Sequence, residues 1–253
     1  MSVKKITTGV SMILRMLVRQ KIVILLILVI PAFFLTIVEL TSSDRILPFQ
    51  LASVGEDIFV NISENGISFI FFSVASSGFL VSFLALNLIQ KNNLVNRRLI
   101  ICGYHPVELL LSILTVLVLV ITFIAVYVGL LTNAFYSIEH LEKFILGLVL
   151  IGFVYGSYGL AVGSLIKGEL EGILMIVLLV NIDVGWLQNP LFYAEAQNQI
   201  IIKFLPAYFP SQTCIITAVT DFSSSSSTMY SLAYGSIFLF FSMLTFFYKM
   251  RTK

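Results

Sequence analysis

The sequence predicts an all-α integral membrane protein with six transmembrane helices, and three observations predict it. Hydrophobic residues make up 58% of the 253 positions and charged residues only 11%. The mean hydropathy is +1.02, and a soluble domain usually carries roughly 25% charge. Six apolar runs recur along the chain, each near the ~20 residues needed to cross a ~30 Å hydrocarbon core. Lys and Arg, finally, cluster in every second connection, which sets orientation.

The whole chain, 1–253, reads as one membrane domain. Residues 1–20 precede the first run. Ile6, Val10, Ile13, Leu14 and Leu17 recur at helical spacing, while Lys4, Lys5, Thr8, Ser11, Arg15 and Arg19 take the other positions. That pattern fits a basic amphipathic helix lying in the headgroup layer. The apolar run that follows is too long for a cleaved signal peptide, and no small-x-small cleavage site follows it. The spans are placed at about 22–40, 67–89, 109–131, 144–166, 172–187 and 229–248. Pro31 interrupts the first, which a membrane helix tolerates.

With the N-terminus inside, Lys4, Lys5, Arg15, Arg19, Lys21, Lys91, Arg97, Arg98, Lys167, Lys249, Arg251 and Lys253 all fall on the inner side, twelve of fifteen basic residues. Only Arg45, Lys143 and Lys203 fall outside. Both termini are therefore expected in the cytoplasm, in a multi-pass protein of the plasma (inner) membrane.

Two outer segments are long. Residues 41–66 carry Asp44, Glu56, Asp57 and Glu64 and show no obvious fold of their own. Within 188–228, the stretch 200–219 is broken by Pro206 and Pro210. It is too broken to span and is expected as a short re-entrant pair of helices. The serine run 223–227 reads as a flexible polar linker.

The inner connection 90–108 is the most informative. Leu94, Arg98 and Ile101 beside Val95, Leu99 and Cys102 make a short amphipathic helix, and Gly103 is a natural C-terminal stop. Pro106 suits the first turn of the next helix, where Glu108 meets the positive end of the helix dipole. The alternative is a plain positive-inside loop. The stretch from Asn96 to Ser112, NRRLIICGYHPVELLLS, resembles the coupling segment of permease subunits in the type-2 family of ATP-binding-cassette (ABC) exporters. Arg98-Leu99, Gly103, Pro106 and the Glu108-Leu109-Leu110-Leu111 entry carry the likeness. The family usually continues with Gly-Lys where this chain has Ser112-Ile113. The N-terminal amphipathic helix, a Gly-rich fourth span and Leu205-Pro-Ala-Tyr-Phe-Pro210 agree with the family layout.

That resemblance implies a permease that pairs with itself or a paralogue and docks two cytoplasmic ATPase subunits. Arg97, Arg98, Leu99, Ile101, Gly103, Tyr104, His105, Pro106 and Glu108 would form the ATPase-coupling segment, with Arg15 and Arg19 on the interfacial helix. ATP and Mg would sit on the partner, because this chain has no Gly-x-x-x-x-Gly-Lys-[Ser/Thr] phosphate loop. The chain itself is expected to bind no cofactor, to ligate no metal and to be no enzyme. Membrane lipid is the other expected partner, and nucleic acid is not one.

In the fourth span, Gly152, Gly156, Gly159 and Gly163 let helix backbones approach closely. They serve packing within one subunit, a dimer seam or substrate passage. Asn181 and Asp183 are the polar residues of the fifth span. An intramembrane acid is a functional suspect by default, and Asp183 either faces a polar cavity or is wetted near Trp186. A proton-coupled secondary transporter using Asp183 is the rival reading. An intramembrane enzyme ranks below it, because Asp183 has no partner acid within a span except the boundary residue Glu39.

Overall fold

The computed structural model describes residues 3–51, 54, 58–188 and 199–251, and only the backbone of 93, 94, 97, 250 and 251. Glu56, Asp57, Lys253 and residues 189–198 lie outside the described residues. The helices are α1 (Val3–Arg19), α2 (Lys21–Thr41), α3 (Glu64–Gln90), α4 (Asn93–Ile101), α5 (Pro106–Phe135), α6 (Leu141–Leu165) and α7 (Glu169–Ile182), which a π-helical turn (Asp183–Leu187) extends. After them come α8 (Gln199–Lys203), α9 (Tyr208–Val219) and α10 (Ser225–Arg251). Six of these, α2, α3, α5, α6, α7 with its π turn, and α10, are long and apolar enough to cross a membrane. The protein is a multi-pass, all-α membrane protein.

An even number of spans puts both chain ends on one face, called here the terminal face. α10 returns to it: the Phe247 and His105 rings lie 6.5 Å apart, and Lys249 Nζ donates to the Ser164 carbonyl at 2.8 Å. The helices overrun the apolar runs because polar caps extend them. Ser63 Oγ accepts from Gly66 N–H at 3.1 Å and starts α3 three residues before the apolar run begins. The serine run is no linker, since α10 begins at Ser225 and Ser227 is buried. Ser223 Oγ accepts from Ser225 N–H at 3.4 Å, a start that a string of hydroxyls supplies readily.

Segment 41–66 does have a fold. Strands β1 (Ile46–Gln50) and β2 (Phe59–Ser63) pair antiparallel, Ile46 opposite Ser63 and Gln50 opposite Phe59. Phe49 and Ile62 point into the protein. Pro48 hid this strand in the sequence, yet a two-stranded ribbon has free edges where a missing N–H costs nothing. This hairpin marks the second face.

Burial separates centre from rim. The most apolar windows of α3 and α6 are each 72% buried, against 17% for α2, 28% for α7 and 22% for α10. The α3–α6 pair is therefore the axis of the bundle, and the glycines of α6 make it close. A Cβ at Gly159 would collide with the Ser82 carbonyl, and one at Gly163 would stand 3.2 Å from the Leu86 carbonyl. Gly152 and Gly156 face Ile121 and Val81 in the same way. The whole glycine ridge is occupied by α3 and α5 of the same chain. Gly159→Ala should cost about 1–3 kcal/mol or more by overpacking, read as a lower melting temperature in detergent. Gly185→Ala, whose Cβ would meet nothing nearer than 3.6 Å, should melt like the parent.

α8 and α9 form the expected helix pair. α9 is buried along almost its whole length and packs on α6, α3 and α10. Its 12 residues give about 18 Å of helix, too short to cross. Pro206 lies before it and Pro210 in its first turn, where proline is tolerated.

Candidate functional site

The coupling-segment residues gather at the terminal face, and Asp183 sits at the centre of a second cluster within the bundle. The first is the α4–α5 corner on the terminal face. α4 ends in a paired C-cap: Tyr104 N–H donates to Leu99 O and Gly103 N–H to Ile100 O, both at 3.0 Å. Gly103 takes φ +89°, which glycine alone adopts without strain. α5 then starts with a reciprocal cap. Val107 N–H donates to His105 Nδ1 at 3.3 Å, and His105 N–H to Glu108 Oε2 at 3.1 Å. Pro106 fits the first helical position, which needs no N–H donor.

The N-terminal helix closes over this corner. Lys5 Nζ donates to the Gly103 carbonyl at 2.7 Å, lies 3.9 Å from Glu108 Oε2 and sits 5.3 Å from the centre of the Tyr104 ring. Further along, Ser112 Oγ donates to Ile6 O at 3.1 Å. A Cβ on Gly9 would stand 2.5 Å from that hydroxyl, so only glycine lets α1 lie this close to α5. α1 thus packs along α5, and Lys5 ties the turn after α4 to both. Glu108 is buried at its centre, while Arg98, Cys102 and His105 are exposed and Ile101 is 85% exposed. Leu99 and Tyr104 are half-buried, and the Arg97 side chain lies outside the described residues. Lys5 and Gly9 were not legible as partners of this corner. In the sequence one is a flank charge and the other a single small residue, about a hundred positions away.

The second constellation surrounds Asp183, whose carboxylate is fully buried. It accepts from the Tyr155 hydroxyl, from Gln188 Nε2 at 3.1 Å and from Ala207 N–H at 2.9 Å. Among the described residues it is enclosed rather than wetted. Trp186, three residues on, is 58% exposed. The π turn separates them: Gln188 N–H bonds the Asp183 carbonyl five residues back rather than four, which swings the indole away from the acid. One carboxylate therefore ties α6, the end of α7 and the approach to α9 together. Tyr234 Oη adds a bond to Phe204 O at 2.7 Å, fixing α10 to the same approach.

Asn181 goes elsewhere. It is exposed, donates to Val177 O at 2.8 Å, and lines a groove of about 650 Å³ between α2, α3 and α7. Phe33, Phe34, Phe71, Phe72 and Phe79 make its walls, with Gly185 beside Asn181. Phe34 and Phe72 stack at 5.7 Å. The groove is apolar with a single amide and a few small groups on it, and Asp183 does not line it. No protein-family model matches the chain, and none of the curated proteins searched is similar to it in sequence.

Proposed function

We propose that the chain is the membrane-spanning subunit of an ATP-driven exporter, paired with itself or a similar permease and driven by two separate ATP-binding-cassette ATPases. The observation that carries this reading is the capped corner. A short helix that presents Arg98 and the 85% exposed Ile101 is joined to α5 through two caps, and Lys5 of α1 grips the turn between them. An exposed isoleucine beside basic residues, at the end of a membrane bundle, is what a protein partner would cover. A push on α4 would reach α5 and α1 through the capped turn that Lys5 grips.

In this reading the terminal face is cytoplasmic and the membrane is the plasma (inner) membrane, as the distribution of Lys and Arg supports. The phenylalanine-walled groove beside Asn181 suits an amphipathic, lipid-like, peptide or drug cargo. ATP and Mg belong to the ATPase. The rival reading, a proton-coupled carrier using Asp183, needs that acid beside a water path. Its enclosure by three donors weighs against it.

Purification of the tagged chain in mild detergent tests the proposal directly: an ATPase should travel with it. Arg97→Glu with Arg98→Glu should lower the ATPase recovered by roughly tenfold through like-charge or lost pairing at the docking face, while leaving membrane insertion intact. Failure of any ATPase to accompany the unmutated chain would remove the ATP-driven reading. Full recovery in the double variant would move the docking face away from α4.

A further inference from the structure

The outward side of α1 carries a second feature that the coupling role does not use. Lys4, Thr8, Ser11, Arg15 and Arg19 recur at spacings of four, three, four and four, forming one exposed stripe opposite the buried Gly9 and Ile13. No acid occurs in the first 38 residues. Among the described residues Arg15 and Arg19 have neither an ion pair nor a side-chain hydrogen bond. Beside the stripe, α1 and α5 enclose a groove of about 400 Å³ whose wall is Ile6, Val10, Leu14 and Thr115, with Ser11 and Arg15 at its mouth.

The depth of this groove decides what fits it. Thr115 lies nine residues into α5, about 13 Å along the helix from the terminal face. One turn deeper, Val118 is 58% and Leu119 48% exposed, continuing the apolar wall towards the bilayer centre. The mouth is cationic and hydroxyl-bearing, and the wall is lipid-facing hydrocarbon. A molecule with an anionic head and an acyl chain satisfies both ends at once.

We propose that the groove between α1 and α5 seats an anionic phospholipid, its phosphate at Arg15, Ser11 and Arg19 and one acyl chain along Leu14, Val10 and Thr115. The inference does not rest on the ATP-driven reading. The lipid would hold α1 on α5 from the side opposite Lys5, so occupancy would steady the same helix that Lys5 ties to Gly103.

Native mass spectrometry of the full chain, equilibrated with an equimolar mixture of phosphatidylglycerol and phosphatidylcholine, reads this directly. Phosphatidylglycerol should be retained preferentially. Arg15→Gln with Arg19→Gln should reduce that preference roughly tenfold to thirtyfold, as expected for two lost charges near an anionic headgroup. Thr115→Trp, which fills the wall and leaves every charge in place, should displace the lipid as well. Lys143→Gln, an exposed cation on the hairpin face, should change nothing. Equal retention of the two lipids by the unmutated chain would overturn the site. So would an equal loss in Lys143→Gln, which marks attraction by net charge alone. An unchanged preference in the double variant, with loss of a co-purifying protein, would give the stripe to a protein partner and also overturn the lipid seat.

Discussion

Asp183→Leu should destabilise the protein severely, by about 3–5 kcal/mol, because three buried neutral donors lose their shared acceptor. Leucine leaves the Tyr155 hydroxyl, the Gln188 amide and the Ala207 N–H without their acceptor. Each stranded donor costs about 1–3 kcal/mol. The Ala207 N–H is fixed by the backbone and cannot turn elsewhere. Against a total stability on the order of 5–15 kcal/mol, such a loss should show as aggregation or an early transition on heating in detergent. Asp183→Asn should be far milder. Its carbonyl oxygen can keep Ala207 and Tyr155, while Gln188 flips its own amide to face the new NH₂ group. Tyr155→Phe should fall between them, at about 1–2 kcal/mol. If leucine melts like the parent, the acid is not the tie described. The pair also separates the two energy sources. Transport by Asp183→Asn, once a cargo is in hand, should survive collapse of the proton gradient while ATP remains. Complete loss in that folded variant, together with loss in the unmutated protein when the gradient collapses, would favour the proton-coupled carrier.

Lys5→Glu should open the α4–α5 corner without unfolding the bundle. The new carboxylate would face Glu108 and the Gly103 carbonyl, exchanging one charge-assisted bond and a loose 3.9 Å ion pair for repulsion. The Lys5 side chain is 42% exposed, so the global cost is small, about 1 kcal/mol. Locally the effect should be larger. Backbone amide exchange in residues 101–105 should rise roughly tenfold, as the local opening free energy falls. Protection in α3 and α6 should be unchanged. Lys5→Arg, which keeps the charge and can reach the same carbonyl, should exchange at the parental rate. Unaltered exchange in Lys5→Glu would mean that α1 is not what holds the corner.

The two constellations differ in how far the sequence reveals them, and the reason is physical. The α4–α5 corner is made of local chemistry: a glycine for a positive φ, a proline for the first helical turn, and an acid three residues past the cap. Each rule acts within a few positions, so the corner is readable from Ile101 to Glu108. The spans are readable for the same reason, since apolar length is a property of one segment. Asp183 is different. Its surroundings depend on a π turn that no local residue pattern announces, and on Tyr155 and Ala207, which only the packing of separate helices brings near. Trp186 points to a wet interface only where regular α-helical spacing links it to the acid, and the π turn breaks that spacing. The glycines of α6 were visible as a ridge, but only the fold shows that α3 and α5 fill it. The hairpin is hard to read because one proline hides its first strand of five residues.

The partners of Asp183 also set an order of events during synthesis. Tyr155 precedes the acid by 28 residues, whereas Gln188 follows by 5 and Ala207 by 24. As the chain emerges from its N-terminus, the fifth span enters the bilayer with one of its three donors already there and one still to emerge. The tyrosine hydroxyl on the fourth span is therefore the first group able to shelter the carboxyl group. The end of the fifth span gains its last bond only when Ala207, just before α9, arrives. Its final seating waits for a segment that has still to leave the ribosome.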